Sequence, residues 1–118
     1  MAAPNIVNIS TITGKTALAG LTTVTANVIT NLSGSNTVAK LNNITLTNST
    51  ASLVYANVSI NRNLVNFFIC AGVSVPANSS LTLLAKDTSL YIEEGDVIQA
   101  NVSANSAVTF TASYEIIS

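Results

Sequence analysis

Apolar and polar residues alternate with a period of two along much of this chain, and this period most strongly constrains its fold. The alternation is clearest over residues 53–60 and 108–117, where every second side chain is Val, Ala, Ile, Phe or Tyr. Such alternation places the apolar side chains on one face of an extended strand. No stretch of helical length carries apolar residues at i, i+3, i+4 and i+7. The sequence therefore predicts an all-β protein.

Turn-forming Gly, Pro, Asn and Ser residues divide the chain into about eight predicted strands. The first runs from Ile6 to Thr13 and ends at Gly14, and a half-buried strand follows at 22–31. The next predicted strands are 37–47 with an irregularity at 42–43, 53–60, 64–75 after a hairpin turn at 61–63, and 80–84. A C-terminal meander of 90–93, 97–103 and 108–117 completes the pattern. This spacing predicts a single antiparallel β-sandwich or jelly-roll-like domain.

The length of 118 residues is typical of one domain. We assign residues 14–118 to the β-sandwich domain. Residues 1–13 precede the compact pattern, and we interpret them as an N-terminal arm that lies on a neighbour or as a first strand of the same sheet.

The most apolar stretch runs from Leu64 to Val75. Nearly continuous apolar character is typical of a strand buried on both faces, so this strand is expected at the centre of the core or at an oligomer contact. Cys70, the only cysteine, lies in this stretch. We expect a small buried hydrophobic residue there rather than half of an intermolecular disulfide.

Charged residues are few, with four Lys and Arg, five Asp and Glu, and no His. The basic residues are isolated from one another, which argues against binding to nucleic acid or to an anionic membrane surface.

No apolar run approaches the ~20 residues needed to span a bilayer. The N-terminus lacks a secretory signal pattern, so we expect synthesis in a cytoplasm. Accordingly, we attribute to composition the Asn-X-Ser/Thr triplets at Asn8, Asn31, Asn43, Asn48, Asn57, Asn78 and Asn101.

Two motifs resemble parts of reactive sites but lack the required spacing. Gly14-Lys15-Thr16 matches the end of a phosphate-binding loop, yet Ile9 occupies the position of that loop's first Gly, so we interpret the motif as a turn. Glu93-Glu94-Gly95-Asp96 lacks the calcium-loop spacing and is interpreted as a solvated turn. Without His, no base is paired with a Ser, Thr or Cys nucleophile. We therefore expect no enzyme activity, catalytic residue, metal, cofactor or small-molecule substrate.

Short blocks of turn and strand residues are distributed over most of the chain. They are AAPNIVN at 2–8, TITGKT at 11–16, SVPAN at 74–78, LYIEEGD at 90–96 and SYEII at 113–117. Together they resemble a family of small virion structural proteins from large contractile-tailed phages of marine cyanobacteria; residues 50–66 carry no part of the resemblance. The resemblance implies a non-enzymatic β-domain on the assembled particle, decorating the capsid or belonging to the neck or tail.

We therefore expect a virion structural protein, made in the host cytoplasm, that decorates or stabilises the outer capsid surface. Its expected partners are the major capsid protein or other virion proteins and further copies of itself, because assembly covers apolar surfaces and strand edges. The expected contact residues are Asn5, Ile6, Val7, Asn8 and Ile9 in the arm and Phe67 and Phe68 in the apolar strand.

Three alternatives remain open at this point. The chain is a neck or tail component, a receptor- or glycan-binding module of a tail fibre, or an enzyme that uses only Lys, Asp and Glu. Glycan sites usually combine exposed aromatic residues with Asp and Asn in loops, whereas the predicted loops here contain Asn, Ser and Thr with almost no aromatic residues. This pattern favours the structural role.

Overall fold

A computed structural model describes residues 11–84, 89–104 and 108–118, and these residues form β-strands without any helix. The strands in chain order are β1 Ile12–Leu21, β2 Ala26–Thr30, β3 Val38–Asn48, β4 Val54–Arg62, β5 Val65–Val75, β6 Ser79–Leu84, β7 Leu90–Ile92, β8 Val97–Val102 and β9 Val108–Ile117. The predicted all-β class is confirmed.

The strands form two antiparallel sheets that pack face to face as a sandwich. In the first sheet the order is β1-β9-β3, and β6 and β7 pair with successive parts of the free side of β3. In the second sheet the order is β2-β8-β4-β5. If β6 and β7 are treated as one interrupted strand, the pairs are first with eighth, second with seventh, third with sixth and fourth with fifth. This nested pairing is the jelly-roll topology.

The core lies between the sheets, and alternation places the residues that fill it. In β9, Val108, Phe110 and Ala112 are buried, and in β4, Val54 and Val58 face them from the other sheet. Burying one such large apolar side chain contributes ~1.5–3 kcal/mol. The inward faces predicted for 53–60 and 108–117 are therefore confirmed.

Local sequence signals at β3 and at the β4–β5 hairpin are also reflected in the structure. The pairing of β3 with β9 shifts register between Leu41 and Asn43, which confirms the irregularity predicted at 42–43. The hairpin turn consists of Asn63 and Leu64, since Arg62 pairs with Val65. The turn is therefore centred one to two residues later than predicted.

Two predictions about the first strands are wrong. Gly14 lies within β1, where it pairs with Glu115 of β9, so the Gly14-Lys15-Thr16 motif is strand rather than turn. β9 continues past the residue that pairs with Gly14, and its backbone hydrogen bonds hold β1 in an extended conformation through this glycine. β1 thus runs without interruption from Ile12 to Leu21.

The second wrong prediction is the start of β2, which begins at Ala26 rather than at 22. The hydroxyl of Thr22 accepts a hydrogen bond from the backbone N–H of Val24 and donates one to the Val24 carbonyl, each over 3.2 Å. This local bonding competes with strand pairing and bends the chain. As a result, Val24 is exposed.

The apolar strand β5 is an edge strand and is not buried on both faces. Among the residues that the structure describes it pairs only with β4, and Val65, Phe67 and Phe68 are exposed. The prediction of a central position is therefore wrong, because apolar content alone does not tell a strand covered by its own fold from one that the fold leaves open. A role in an oligomer contact stays a prediction.

Candidate functional site

The edge of β5 that is unpaired within the described residues and the adjoining hairpin form an apolar surface. We define the edge patch as Leu64, Val65 and Phe67 together with Tyr91 of β7, all of which are exposed. Natural sheets usually protect an open edge with charged residues, Pro or β-bulges. β5 contains no charged residue and no Pro, and its part in the edge patch pairs with β4 without a register shift, from Val65 opposite Arg62 to Phe67 opposite Ile60. The edge patch is therefore a surface suited to contact with another molecule.

The hairpin turn holds Leu64 in an unfavourable state on two counts. Asn63 and Leu64 have φ values of 54° and 65°, the left-handed pair that defines a type I′ turn. A left-handed backbone costs an ordinary L-residue ~1–2 kcal/mol, and Gly is the usual choice at the second position. The side chain of Leu64 is moreover 94% exposed. Strain and exposure together at one residue are typical of a functional contact rather than of a turn optimised for the isolated chain.

A cleft opens beside the edge patch on the side of the sandwich where β5 faces β7. It has a volume of about 480 Å³ and is lined by Ile60, Arg62, Phe67, Leu90, Tyr91 and Glu93. Phe67 and Tyr91 supply aromatic walls, while Arg62 and Glu93 place an ion pair of 3.0 Å at one end. The cleft extends the apolar edge patch toward a polar border.

The polar border is anchored by a buried carboxylate. Asp96 is 1% exposed and accepts two hydrogen bonds from Arg62, from Nε over 2.7 Å and from Nη2 over 2.6 Å. Asp96 also accepts the backbone N–H of Glu93 over 2.9 Å. The hydrogen bond to Asp96 raises the pKa of Arg62, so the guanidinium stays charged.

The acidic turn is therefore only partly what its sequence predicts. Gly95 has a φ of 85° and makes the turn, as expected. Glu93 is exposed, but Asp96 is not solvated, because Arg62 of the neighbouring β4 compensates its charge. The side chain of Glu94 accepts the backbone N–H groups of Gly34 and Asn36 over 2.7 and 3.3 Å. The turn thus fastens the loop before β3.

A second surface covers the outer side of the β2-β8-β4-β5 sheet. Asn101 of β8 donates from Nδ2 to the Thr25 hydroxyl over 3.0 Å and accepts the Nδ2–H of Asn57 over 2.9 Å. Asn57 in turn accepts the backbone N–H of Gly72 over 2.7 Å. This row of hydrogen bonds crosses the whole sheet. We define the amide face as Thr25, Asn57, Ser59, Asn66, Phe68 and Asn101, which line a shallow depression of about 160 Å³.

The two predicted contact phenylalanines are both exposed but lie on opposite faces of β5. Phe67 pairs with Ile60 and lines the cleft, whereas Phe68 pairs with Ser59 and lines the amide face. They therefore belong to different surfaces. The predicted arm contacts Asn5, Ile6, Val7, Asn8 and Ile9 lie outside the described residues.

Sequence reasoning missed the Arg62–Asp96 pair and the amide face. Alternation of Asn57, Ser59 and Asn61 indicates a polar outward face on β4. However, the partners Thr25 and Asn101 are distant in the sequence, so the row of amides becomes visible only when the strand order is known.

Cys70 is half-buried, with its Sγ 3.9 Å from the carbonyl oxygen of Ala56. Burial raises the pKa of its thiol, because the thiolate is poorly solvated there. Cys70 packs against the core rather than lying fully within it.

The topology and the arrangement of the core define the class of this chain as a jelly-roll β-sandwich. No group of three or more His, Cys, Asp and Glu side chains within the described residues could hold a metal ion. The same parts of the chain contain no helix long and apolar enough to cross a membrane. Comparison with known proteins finds no matching family model and no curated protein of significantly similar sequence.

Proposed function

We propose that this chain is a non-enzymatic structural protein of a virion that decorates or stabilises the outer capsid surface in many copies. The observation that carries the proposal is the edge patch, above all Leu64, which is strained and exposed at the same residue. Contact with a partner buries this side chain and offsets the unfavourable turn. The uncharged edge of β5 lies beside it and is available to the same partner.

Two further features support the proposal. Jelly rolls recur in viral capsid domains, although a fold alone does not define a function. The sequence blocks at 2–8, 11–16, 74–78, 90–96 and 113–117 resemble small virion proteins of contractile-tailed cyanophages. The partners in this proposal are the major capsid protein or other virion proteins and further copies of this chain, with the arm residues 5–9 as a second contact.

Analysis of purified particles tests the proposal directly. Quantitative mass spectrometry of virions carrying the encoding gene is expected to detect the chain in constant proportion to the major capsid protein. A copy number matching one neck or tail ring contradicts the capsid location, and absence from particles while the chain accumulates in infected cells contradicts the proposal as a whole.

A pair of variants tests the contact surface itself. Phe67→Lys places a charge in the edge patch and is expected to lower particle occupancy at least tenfold. Leu18→Lys is the matched control, since Leu18 is an exposed apolar residue on the edge strand β1, outside the patch. Equal occupancy of the two variants excludes the edge patch as the contact.

A further inference from the structure

We propose that the amide face binds a neutral saccharide, with Phe68 as the apolar platform and the amides of Asn57, Asn66 and Asn101 as hydrogen-bonding groups. This inference does not rest on the virion proposal, because it concerns the outer face of the second sheet and not the edge patch. Four steps support it: the size of the depression, its unused hydrogen-bonding capacity, its aromatic residue and its lack of charge.

The depression has the dimensions of a small subsite. Its volume of about 160 Å³ lies below the ~300–1,000 Å³ of pockets for drug-sized ligands. It is open and shallow and lies on a sheet rather than deep within the fold. A single sugar unit of a longer, exposed chain fits such a site, because the rest of the chain continues into solvent.

The amides are held in place but retain free hydrogen-bonding positions. Asn57 and Asn101 each use one N–H and one carbonyl lone pair in the row across the sheet, and each keeps a second of both. The Asn66 carbonyl accepts from Asn61 over 2.7 Å, which leaves the NH₂ of Asn66 available. Fixed groups of both donor and acceptor type complement sugar hydroxyls, which also donate and accept.

Ser59 adds a hydroxyl to the depression. It lines the depression, and its side chain makes no hydrogen bond within the described parts of the chain. This hydroxyl can therefore donate to and accept from a sugar hydroxyl seated there.

Phe68 gives this polar surface an apolar component. It is 60% exposed and pairs across the ladder with Ser59, so it borders the same depression. A pyranose has C–H groups on the face of its ring, and these lose contact with water when the ring stacks on an aromatic side chain. Amides beside an exposed aromatic ring therefore match the two kinds of surface that a sugar presents.

The absence of charge among the lining residues selects the chemistry of the ligand. Thr25, Asn57, Ser59, Asn66, Phe68, Ala100 and Asn101 line the depression, and none of them is ionisable at neutral pH. A phosphate or carboxylate group bound there would lose water without gaining a cation. A neutral saccharide is therefore favoured over an acidic one.

NMR titration of the full chain tests the proposal. The probes are tetrasaccharides of glucose, mannose, galactose and N-acetylglucosamine, with a sialylated tetrasaccharide as the charged comparison. At least one neutral probe is expected to shift the side-chain NH₂ signals of Asn57, Asn66 and Asn101. This readout on the wild-type chain does not depend on any variant folding.

Variants then separate the amide face from its surroundings. Phe68→Ala and Asn101→Ala are each expected to weaken binding of the responding probe at least tenfold. Phe67→Ala, on the opposite face of β5, and Tyr55→Ala, an exposed aromatic residue of β4 outside the depression, are the matched controls and are expected to bind as wild type. Failure of all neutral probes to bind, binding of the sialylated probe alone, or equal loss in the controls overturns the proposal.

Discussion

Two buried asparagines secure the loops of this sandwich. Asn48 is fully buried, and its Nδ2 donates to the carbonyl oxygens of Ser52 and Val75 over 2.8 and 3.0 Å. Its Oδ1 accepts the backbone N–H and the hydroxyl of Thr50. Asn31 plays the same role at the opposite loop, where its Nδ2 donates to two backbone carbonyls. Both residues belong to Asn-X-Ser/Thr triplets, and their side chains are engaged inside the fold.

Removal of the Asn48 amide is expected to destabilise the protein strongly. Asn48→Ala leaves two carbonyls and the Thr50 groups without their partner, and the free energy of unfolding should fall by about 3 kcal/mol. Urea denaturation followed by circular dichroism measures the change. Asn27→Ala is the control, because Asn27 is exposed and accepts one bond from Gln99, so its effect should stay within ~0.5 kcal/mol. Similar losses in both variants contradict the assigned role of Asn48.

The two carboxylates that contact Arg62 differ in burial, and their substitutions should differ accordingly. Asp96→Asn removes the charged partner of Arg62 in a buried position and is expected to lower the free energy of unfolding by about 2 kcal/mol. Glu93→Gln removes an exposed ion pair and should cost less than ~1 kcal/mol. Urea titrations of both variants test this order, and a larger effect at Glu93 contradicts it.

The thiol of Cys70 is expected to react slowly and to make stability depend on alkaline pH. Burial raises its pKa, so at pH 8 it should react with a disulfide reagent more slowly in the folded chain than in urea. The folded state holds the proton more tightly than the unfolded state. The resulting stabilisation is therefore complete below the ordinary thiol pKa of 9.0 and is lost as the pH rises above it. Comparison with Cys70→Ala between pH 7 and 10.5 isolates this contribution, and equal slopes contradict it.

At the scale of elements, alternation predicted the strands that have one buried and one exposed face. β4 and β9 follow this pattern, and so their extents and inward faces agree with the sequence. β2 does not follow this pattern, because the Thr22 side chain forms local hydrogen bonds and the strand begins later in the chain than predicted. β5 carries apolar residues on both faces although its edge position leaves Val65, Phe67 and Phe68 exposed. Whether such a strand is buried depends on which strands pair with it, and the sequence of one strand does not show its partners.

The β4–β5 hairpin yields a prediction that separates folding from contact. Leu64→Gly restores the favoured Asn-Gly type I′ turn and is expected to raise the free energy of unfolding by about 1 kcal/mol. Under the proposed function the same variant occupies particles less fully, since it lacks the exposed Leu side chain. Thermal denaturation and particle occupancy measure the two effects. If the free energy of unfolding and the particle occupancy both rise, or both fall, the interpretation that this turn lowers stability in order to present Leu64 to a partner is contradicted.

At the scale of the whole molecule, the candidate surfaces are formed by residues that are distant in the sequence. Arg62 meets Asp96, and Asn101 meets Thr25, only because β8 lies between β2 and β4 in the second sheet. Composition indicated a surface of Asn, Ser and Thr, and apolar content drew attention to Phe67 and Phe68. Apolar content could not show that Phe67 and Phe68 lie on different faces of β5, because the register of β5 against β4 determines their faces.

The same long-range pairing predicts slow and cooperative folding. β1 pairs with β9 from Ile12 opposite Ile117 to Leu21 opposite Val108, so the first sheet closes only when the two ends of the described chain meet. Folds dominated by such distant contacts refold in milliseconds to seconds, because loop closure precedes the gain from burial. Stopped-flow circular dichroism should therefore show refolding on that timescale.

Removal of residues 108–118 tests whether β9 is essential to this cooperativity. β9 lies between β1 and β3 and buries Phe110, so its loss takes from β1 its partner strand within the described residues, leaves β3 paired on one side and opens the core. The truncated chain is expected to show no cooperative transition in urea, whereas the full chain unfolds in one step. Because the second sheet pairs independently of β9, a truncated chain that kept a sharp transition would mean that β2, β8, β4 and β5 fold as a unit without the first sheet.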